Sequence, residues 1–166
     1  MHKPGQIRIL ALGLIKAGNS PTAYSQPGTA LSSPSSETEL LCERIFVSEG
    51  YDPVKQQTFY RAMGGGVDFG ETSREALVRE FQEEIQADLI NIQYLGCLEN
   101  LFVYNGEPGH ELIQLYQCEF ADPHFYQLKQ LVFAEGKRQK TALWVDINRF
   151  KSGELLLLPH EFIKYL

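Results

Sequence analysis

The 166-residue sequence is short of positive charge and contains no long hydrophobic run. Its formal net charge is −6, whereas proteins that bind nucleic acid need a basic surface, so we expect no nucleic-acid partner. No apolar stretch approaches the ~20 residues that cross a bilayer, so we expect no membrane partner. The apolar segment 7–15 is short, is interrupted by Arg8 and is followed by no cleavage site. We therefore interpret it as a buried strand and not as a signal peptide.

Cysteine is scarce as well. Cys42, Cys97 and Cys118 are odd in number, are widely spaced and form no CxxC pair. This pattern favours neither a disulfide framework nor a zinc site. We interpret the three residues as buried free thiols in a reducing compartment and expect a cytoplasmic protein.

The length and the ordinary content of apolar residues indicate one domain over residues 1–166. Residues 17–39 are dense in Ser, Thr, Pro and Gly, and predict a mobile loop between two strands. We prefer a disordered surface loop there, and a lid over a substrate is the alternative. Strands are predicted at residues 6–15, 40–49, 58–63, 89–104, 112–120 and 142–147, with turns at 50–55 and 105–109, a glycine loop at 64–66 and a short helix at 159–166.

Residues 72–86 have helical spacing throughout. Thr72 followed three residues later by Glu75 is typical of a capping box at a helix start. Leu77, Phe81 and Ile85 recur every four residues and form one apolar stripe. One strong helix among strands favours a layered α/β or α+β domain with a mixed sheet.

A second stripe of this helix is acidic. Glu80, Glu83 and Glu84 are spaced so that their carboxylates lie close together, and no Lys or Arg stands between them. Such carboxylates repel one another unless something compensates. A hard divalent cation, Mg²⁺ or Mn²⁺, is the natural compensation because it prefers oxygen ligands. The alternative, from the helix alone, is a solvated acidic face.

The segment before the helix supports the metal site. Gly64, Gly65 and Gly66 open a glycine-rich loop, and glycines let backbone groups approach a ligand closely. Glu71 lies eight residues before Arg79, so the loop can fold back and the two side chains can pair. Arg79 would then orient the neighbouring carboxylates, a supporting role that metal sites commonly need.

The run 65–87 resembles the Nudix box, G-x5-E-x7-R-E-U-x-E-E-x-G-U, in which U is a bulky apolar residue. Two positions depart from it: Gln86 stands where the family has glycine, and Ala87 stands where it has a bulky residue. Glycine suits a left-handed helix end better than Gln86, so we expect a different helix exit, with Leu89 in the apolar role. The matching positions are Gly65, Glu71, Arg79, Glu80, Glu83 and Glu84.

The resemblance implies a Nudix-type α/β/α sandwich and metal-dependent hydrolysis of a diphosphate linkage in a nucleoside diphosphate joined to a group X. It implies that Glu80 and Glu84 are the main metal ligands. Glu83 would be a further ligand or the base that activates water, and the Gly64 carbonyl would face the metal. Mg²⁺ or Mn²⁺ would be the cofactor.

The resemblance implies that Glu71 pairs with Arg79 to support catalysis. We also expect the backbone of Gly65 and Gly66 to contribute to substrate binding.

Three residues outside the box are candidates. Arg61 could reach a phosphate, and a surface ion pair is an equal alternative. In relatives that hydrolyse diadenosine polyphosphates, a tyrosine near the place of Tyr104 stacks on a base. In several relatives an acidic residue downstream of the box completes the metal site or serves as base, and Glu111 is the candidate here. His110 beside it is interpreted as a structural residue of the turn.

The resulting hypothesis is a metal-dependent hydrolase of a small phosphorylated substrate, presumed to be a nucleotide of unspecified identity. A Nudix-fold module that binds a nucleotide without cleaving it is the alternative, and an acidic structural domain without metal is a third. Whether the protein forms a homodimer is left open.

Overall fold

The computed structural model describes residues 5–18, 43–136 and 138–166. Within these ranges eight strands form one mixed sheet in the order β5-β6-β1-β4-β3-β8-β7, with β2 paired to β3. The strands are β1 Ile7–Leu14, β2 Lys16–Ala17, β3 Arg44–Asp52, β4 Gln57–Gly66, β5 Leu89–Tyr104, β6 Glu107–Phe120, β7 Gln130–Glu135 and β8 Arg138–Asp146, and the helices are α1 Ser73–Ile85, α2 Ile147–Lys151 and two 3-10 helices, Pro123–Gln127 and His160–Tyr165.

The sheet is mixed because β1 pairs parallel with β6, whereas the other named strand pairs are antiparallel. Alternate strand residues point to opposite faces, and each face has its own core. On β1, Ala11 belongs to the cluster under α1, whereas Leu10 and Leu12 belong to the other cluster. Phe150 of α2 and Phe162 of the last 3-10 helix close that second face. The predicted α+β fold with helices on both faces of a mixed sheet is confirmed.

Helix α1 lies on the sheet through its apolar stripe. Leu77 and Phe81 are fully buried, and Ile85 is nearly so, as the four-residue spacing predicts. Burying each of the first two side chains contributes on the order of 2 kcal/mol. The ring of Phe81 packs edge-on against Phe120 of β6, with the centroids 6.1 Å apart. The outer face of α1 is left for its charged residues.

The predicted strands are all present, but several boundaries were wrong. The glycines of 64–66 form no loop: they lie in β4 and pair with residues 10–12 of β1. The reason is close strand approach, because a Cβ on Gly64 would lie 2.1 Å from the Ala11 carbonyl oxygen. Residues 50–52 belong to β3, and the turn at 105–109 is shorter than predicted. Asn105 and Gly106, both with positive φ, make this turn alone.

Other predictions for this part of the chain also need correction. The predicted loop begins later than residue 17, because Ala17 lies in β2, and residues 19–39 fall outside the described ranges. Cys118 is buried as expected, but Cys97 on the edge strand β5 is exposed, and Cys42 lies outside the described ranges. Strand β7 and helix α2 were not predicted, because each is a short element in a stretch without clear periodicity.

The exit of α1 differs from the expectation. Gln86 adopts the left-handed conformation, with φ 55° and ψ 37°, and its N–H donates to the carbonyls of Gln82 and Phe81. Ala87 is itself buried, at 1% exposure, so it fills the apolar position, and Leu89 packs only at the margin of that cluster. The helix therefore ends in the left-handed conformation that glycine usually adopts there. Gln86 has a Cβ, so this conformation is strained.

We predict that Gln86→Gly raises the free energy of unfolding by up to about 1 kcal/mol, because glycine adopts this conformation without the steric cost. Chemical denaturation measures the change. Gln86→Ala is the matched control, since it removes the same side chain but keeps the Cβ, and it should give no gain. An equal gain in both variants would show that the side chain, and not the backbone, limits stability here.

Candidate active site

The start of α1 is fixed by the predicted capping box. The Glu75 N–H donates to the Thr72 hydroxyl at 3.2 Å, and the Thr72 N–H donates to the Glu75 carboxylate at 2.8 Å. These reciprocal bonds satisfy two backbone groups that the first helical turn leaves open. The loop between β4 and α1 therefore enters the helix in one defined conformation.

Arg79 joins this loop to the helix. Its guanidinium donates to both carboxylate oxygens of Glu71, at 2.7 and 3.1 Å, and to the Gly66 carbonyl at 2.9 Å. It also donates to Glu80 at 3.1 Å and to Glu83 at 3.4 Å. The predicted pairing of Glu71 with Arg79 is confirmed. One cation thus donates hydrogen bonds to three carboxylates and one strand carbonyl, and the carboxylate of Asp68 lies 3.8 Å from it.

The electrostatic effect of this pairing is clear at Glu71. Hydrogen bonds from Arg79, and then the backbone N–H of Asp68, lower the pKa of Glu71 from 4.5 to about 2. The same bonds raise the pKa of Arg79. The pair is therefore fully ionised throughout the neutral range.

Glu80 packs directly on Gly65 of β4. A Cβ built on Gly65 would lie 2.2 Å from the carboxyl carbon of Glu80, so a side chain at that position would displace the carboxyl group. Burial raises the pKa of Glu80, and Arg79 acts in the opposite direction. The glycine predicted for backbone approach to a ligand thus also makes room for a carboxylate.

Glu84 is the most perturbed carboxyl of the helix. Burial, followed by the nearby carboxylates of Glu135 and Glu80, raises the pKa of Glu84 from 4.5 to about 8. Glu135 lies at the end of β7 and forms an ion pair with Lys140 of β8. Neither residue was predicted from the sequence. They stand in a polar stretch about fifty residues beyond the helix, and only the packing of β7 beside α1 brings them near.

These oxygens match the ligands that Mg²⁺ and Mn²⁺ prefer, and the recess over Gly65 already holds a carboxyl group. The side chains as they stand do not yet form a complete metal-binding set. Glu83 is 61% exposed and turned to Arg79, and in the described ranges no three ligating side chains converge enough to hold an ion as they stand. The Gly64 carbonyl as a ligand stays a prediction.

A second charged cluster lies on β1, β4 and β6. Glu111 is 1% exposed, and it accepts a hydrogen bond from Arg61 at 2.9 Å and one from Asn100 at 3.3 Å. Arg8 lies 3.6 Å from its other oxygen. Of the two alternatives for Arg61, the ion pair is present, and it is partly buried and not on the surface. Glu111 lies within β6 and not at its beginning.

The second cluster lines a cavity of about 1410 Å³, and Glu135 and Lys140, the neighbours of Glu84, line it as well. The carboxylates of α1 itself are not among the lining residues. Tyr104 lines the same cavity, and its hydroxyl donates to the Tyr51 carbonyl at 3.4 Å. The structure therefore brings the candidates Arg61, Glu111 and Tyr104 together around a space large enough for a nucleotide-sized ligand.

His110 is outside that cavity lining. Its Nε2 lies 2.9 Å from the Glu99 carboxylate, an across-strand contact that agrees with the structural role predicted for it.

The NUDIX domain model matches residues 36–163 of this sequence, which is more than three quarters of the chain. The chain belongs to the Nudix family. A NUDIX hydrolase from Nitrosomonas europaea has a similar structure, with a TM-score of 0.53 and 13% identity over 90% of this chain and 78% of that chain. A MutT NUDIX hydrolase from Burkholderia pseudomallei is 19% identical over 86% of this chain and 85% of that one, with a TM-score of 0.49. No curated protein matches the chain.

Membership makes the protein a Nudix hydrolase, an enzyme that acts on phosphoanhydride bonds. Its Nudix box spans the end of β4, the following loop and α1. At 13% identity the Nitrosomonas structure shows the shared fold alone. Among the described residues of this Nudix protein, no helix is long and apolar enough to cross a membrane.

We predict that the Glu71–Arg79 pair stabilises the Nudix fold at neutral pH and loses this contribution in acid. The pKa of Glu71 is lowered in the folded protein, so the contribution is complete above pH 4.5 and is lost as pH falls towards about 2. The difference in unfolding free energy between wild type and Glu71→Gln should therefore be constant above pH 5 and shrink below it. Denaturant titrations at several pH values measure it, and a difference that stays unchanged down to pH 2 would contradict the prediction.

Proposed function

We propose that this Nudix hydrolase cleaves a diphosphate linkage in a nucleoside diphosphate–X substrate, by metal-dependent attack of water on phosphorus. The observation that carries the proposal is the crowding of carboxylates on one side of α1. Glu80 is held over Gly65, and Glu84 is half-buried near Glu135. Carboxylates are costly to bury together unless a cation joins them, and a divalent ion is the cation that a diphosphate also needs.

Glu80 and Glu84 are the main ligands in this proposal, and Glu83 is a further ligand or the base. The Gly64 carbonyl completes the strand side of the site. When bound, Mg²⁺ or Mn²⁺ neutralises diphosphate charge and lowers the pKa of a water molecule. Arg79 keeps Glu80 and Glu83 oriented while it is itself anchored by Glu71.

The protein's own charges support a small-molecule substrate. Its net charge is −6, which opposes nucleic acid, whereas the cavity lining includes Arg8 and Arg61 on neighbouring strands, which could bind a phosphate. Cys97 and Cys118 are free thiols, which supports a reducing compartment such as the cytoplasm. The described elements share one sheet, which supports a single domain. Homodimer formation stays an expectation.

The proposal is tested by incubating the purified protein with Mg²⁺ or Mn²⁺ and a panel of nucleoside diphosphate derivatives. Release of nucleotide or phosphate is then measured. Cleavage that needs the metal supports the proposal. Tight binding of one panel member without cleavage of any would favour the alternative of a binding module. Calorimetry that shows no Mn²⁺ binding would contradict both the hydrolase and the binding module.

We predict that Glu84→Gln lowers hydrolysis by on the order of 10²-fold or more, because one of the proposed metal ligands loses its charge. The fold should remain intact, since the variant removes one of several mutually repelling carboxylates. Turnover and the melting temperature are measured together.

Glu75→Gln is the matched control for this prediction. It makes the same chemical change on the same helix, and Gln still serves in a capping box. It should leave turnover near the wild-type value. If Glu84→Gln unfolds the protein while turnover per folded molecule is unchanged, Glu84 has a structural role instead.

A further inference from the structure

Two aromatic rings in the cavity each cover a glycine of the neighbouring strand. Phe59 of β4 stands opposite Gly50 of β3, and a Cβ on Gly50 would lie 2.4 to 3.0 Å from the outer atoms of the Phe59 ring. Phe102 of β5 stands opposite Gly109 of β6, where a Cβ would lie 2.2 to 2.7 Å from the Phe102 ring. Each ring can lie over its partner strand only because that strand has a glycine there.

Both rings line the cavity and are half-buried. Glycine is unfavourable inside a strand unless something approaches its backbone closely, and here a ring does so twice. With its outer edge resting on Gly50, the Phe59 ring is held down against the sheet. The cavity therefore has an aromatic wall with a fixed orientation and not a set of upright, freely rotating side chains.

Tyr104 supports this wall from the side. Its ring lies 6.1 Å from that of Phe59 with an angle of 83° between the planes, and its hydroxyl is held by the Tyr51 carbonyl. This edge-to-face contact is one of the arrangements that aromatic pairs prefer. Tyr104 thus fixes the orientation of Phe59, which leaves Phe59 as the better surface for a stacked ligand.

Positive charge stands next to the aromatic wall. Arg61 is two residues from Phe59 on β4, so both side chains emerge on the same side of the strand, roughly 7 Å apart along it. That separation is comparable to the span of one ribose unit between a base and its phosphate. Two guanidiniums, of Arg61 and Arg8, face the single carboxylate of Glu111, so this cluster has an excess of one positive charge within a lining that also carries other carboxylates.

Glu111 is well placed to aim Arg61 through Oε2, and its other oxygen, Oε1, has no hydrogen-bond partner among the described residues. It is 1% exposed, and its oxygens face Arg61, Asn100 and Arg8. Within the described ranges, the buried Nε of Arg61 has no hydrogen-bond partner, while its NH2 is held by Glu111. A buried carboxylate that holds one end of an arginine pre-orients the guanidinium for contact with a phosphate.

We propose that Phe59 is the surface on which the base of the nucleotide stacks, and that Glu111 is a positioning residue which directs Arg61 to the phosphates. The inference rests on the proposed function and specifies how the substrate is recognised. It assigns to Phe59 the stacking role expected of Tyr104, and it replaces the catalytic role expected of Glu111.

The test measures binding without divalent cations, so that no hydrolysis occurs. The probes are ADP, GDP, CDP, UDP and inorganic pyrophosphate, titrated by calorimetry. Wild type should bind at least one nucleoside diphosphate about ten-fold or more tighter than pyrophosphate, the range expected for one stacked base. Phe59→Leu should remove this advantage and leave pyrophosphate affinity unchanged, which also shows that the variant is folded.

Gly50→Ala is a second variant that keeps the Phe59 ring but displaces it. It should reduce the nucleotide advantage as Phe59→Leu does. Tyr94→Leu and Gly18→Ala are the matched controls: Tyr94 is an exposed aromatic residue outside the cavity lining, and a Cβ on Gly18 would meet nothing within 4 Å. Both should bind as wild type does. A nucleotide advantage that survives Phe59→Leu and Gly50→Ala would overturn the stacking role.

The role of Glu111 is tested by Arg61→Lys, Glu111→Gln and the double variant. Each single variant should weaken pyrophosphate binding by about ten-fold, and the double variant should weaken it little further, because both changes remove one interaction. If Glu111→Gln lowers kcat and leaves pyrophosphate affinity unchanged, Glu111 is a base and the inference is wrong. Hydrolysis of the wild type with Mg²⁺ or Mn²⁺ is measured separately, and its absence counts against the proposed function alone.

Discussion

The guanidinium of Arg79 is the interaction on which the active site depends. It fixes the loop through Glu71 and the Gly66 carbonyl, and it fixes the helix face through Glu80 and Glu83. Without this cation the loop would be linked to the helix by the capping box alone, and neighbouring carboxylates would repel one another. Arginine suits the position because its five donors lie in one rigid plane, which a lysine could not imitate.

This arrangement divides the acidic residues into two groups. Those that contact Arg79 are already compensated, and the pKa of Glu71 is accordingly low. Glu84 lies beyond its reach, beside Glu135, and its pKa is high. The carboxyl that is hardest to ionise thus stands at one end of the stripe. An added cation there would favour the ionised form of Glu84.

Local features of the site could be predicted from the sequence, because a helix repeats every 3.6 residues and a pair eight residues apart must meet if the loop folds back. The capping box at Thr72 and the Glu71–Arg79 pair are of this kind. Gly65 was identified as a site of close backbone approach to a ligand. Its second role, making room for the Glu80 carboxyl, could not be predicted because that contact depends on how α1 packs on β4. Glu135 could not be found, because its place beside Glu84 depends on the packing of an edge strand.

Other contacts between residues far apart in the sequence could not be predicted for the same reason. Arg61 and Glu111 are fifty residues apart, so the sequence left a phosphate contact and an ion pair as equal alternatives. Gly50 and Phe59 stand opposite each other only in the register of β3 and β4. Pro and Gly near residue 108 suggested a long turn, whereas Asn105-Gly106 alone was enough to reverse the chain.

The segment after α2 is joined to the sheet by backbone hydrogen bonds. The Tyr60 N–H donates to the Leu156 carbonyl and the Leu158 N–H donates to the Tyr60 carbonyl, both at 2.8 Å, and Leu156 and Leu158 also line the cavity. A protease that cuts between α2 and this segment would therefore not trim a dispensable tail. It would open the edge of β4, remove one wall of the cavity and take Leu157 and Phe162 out of the second core.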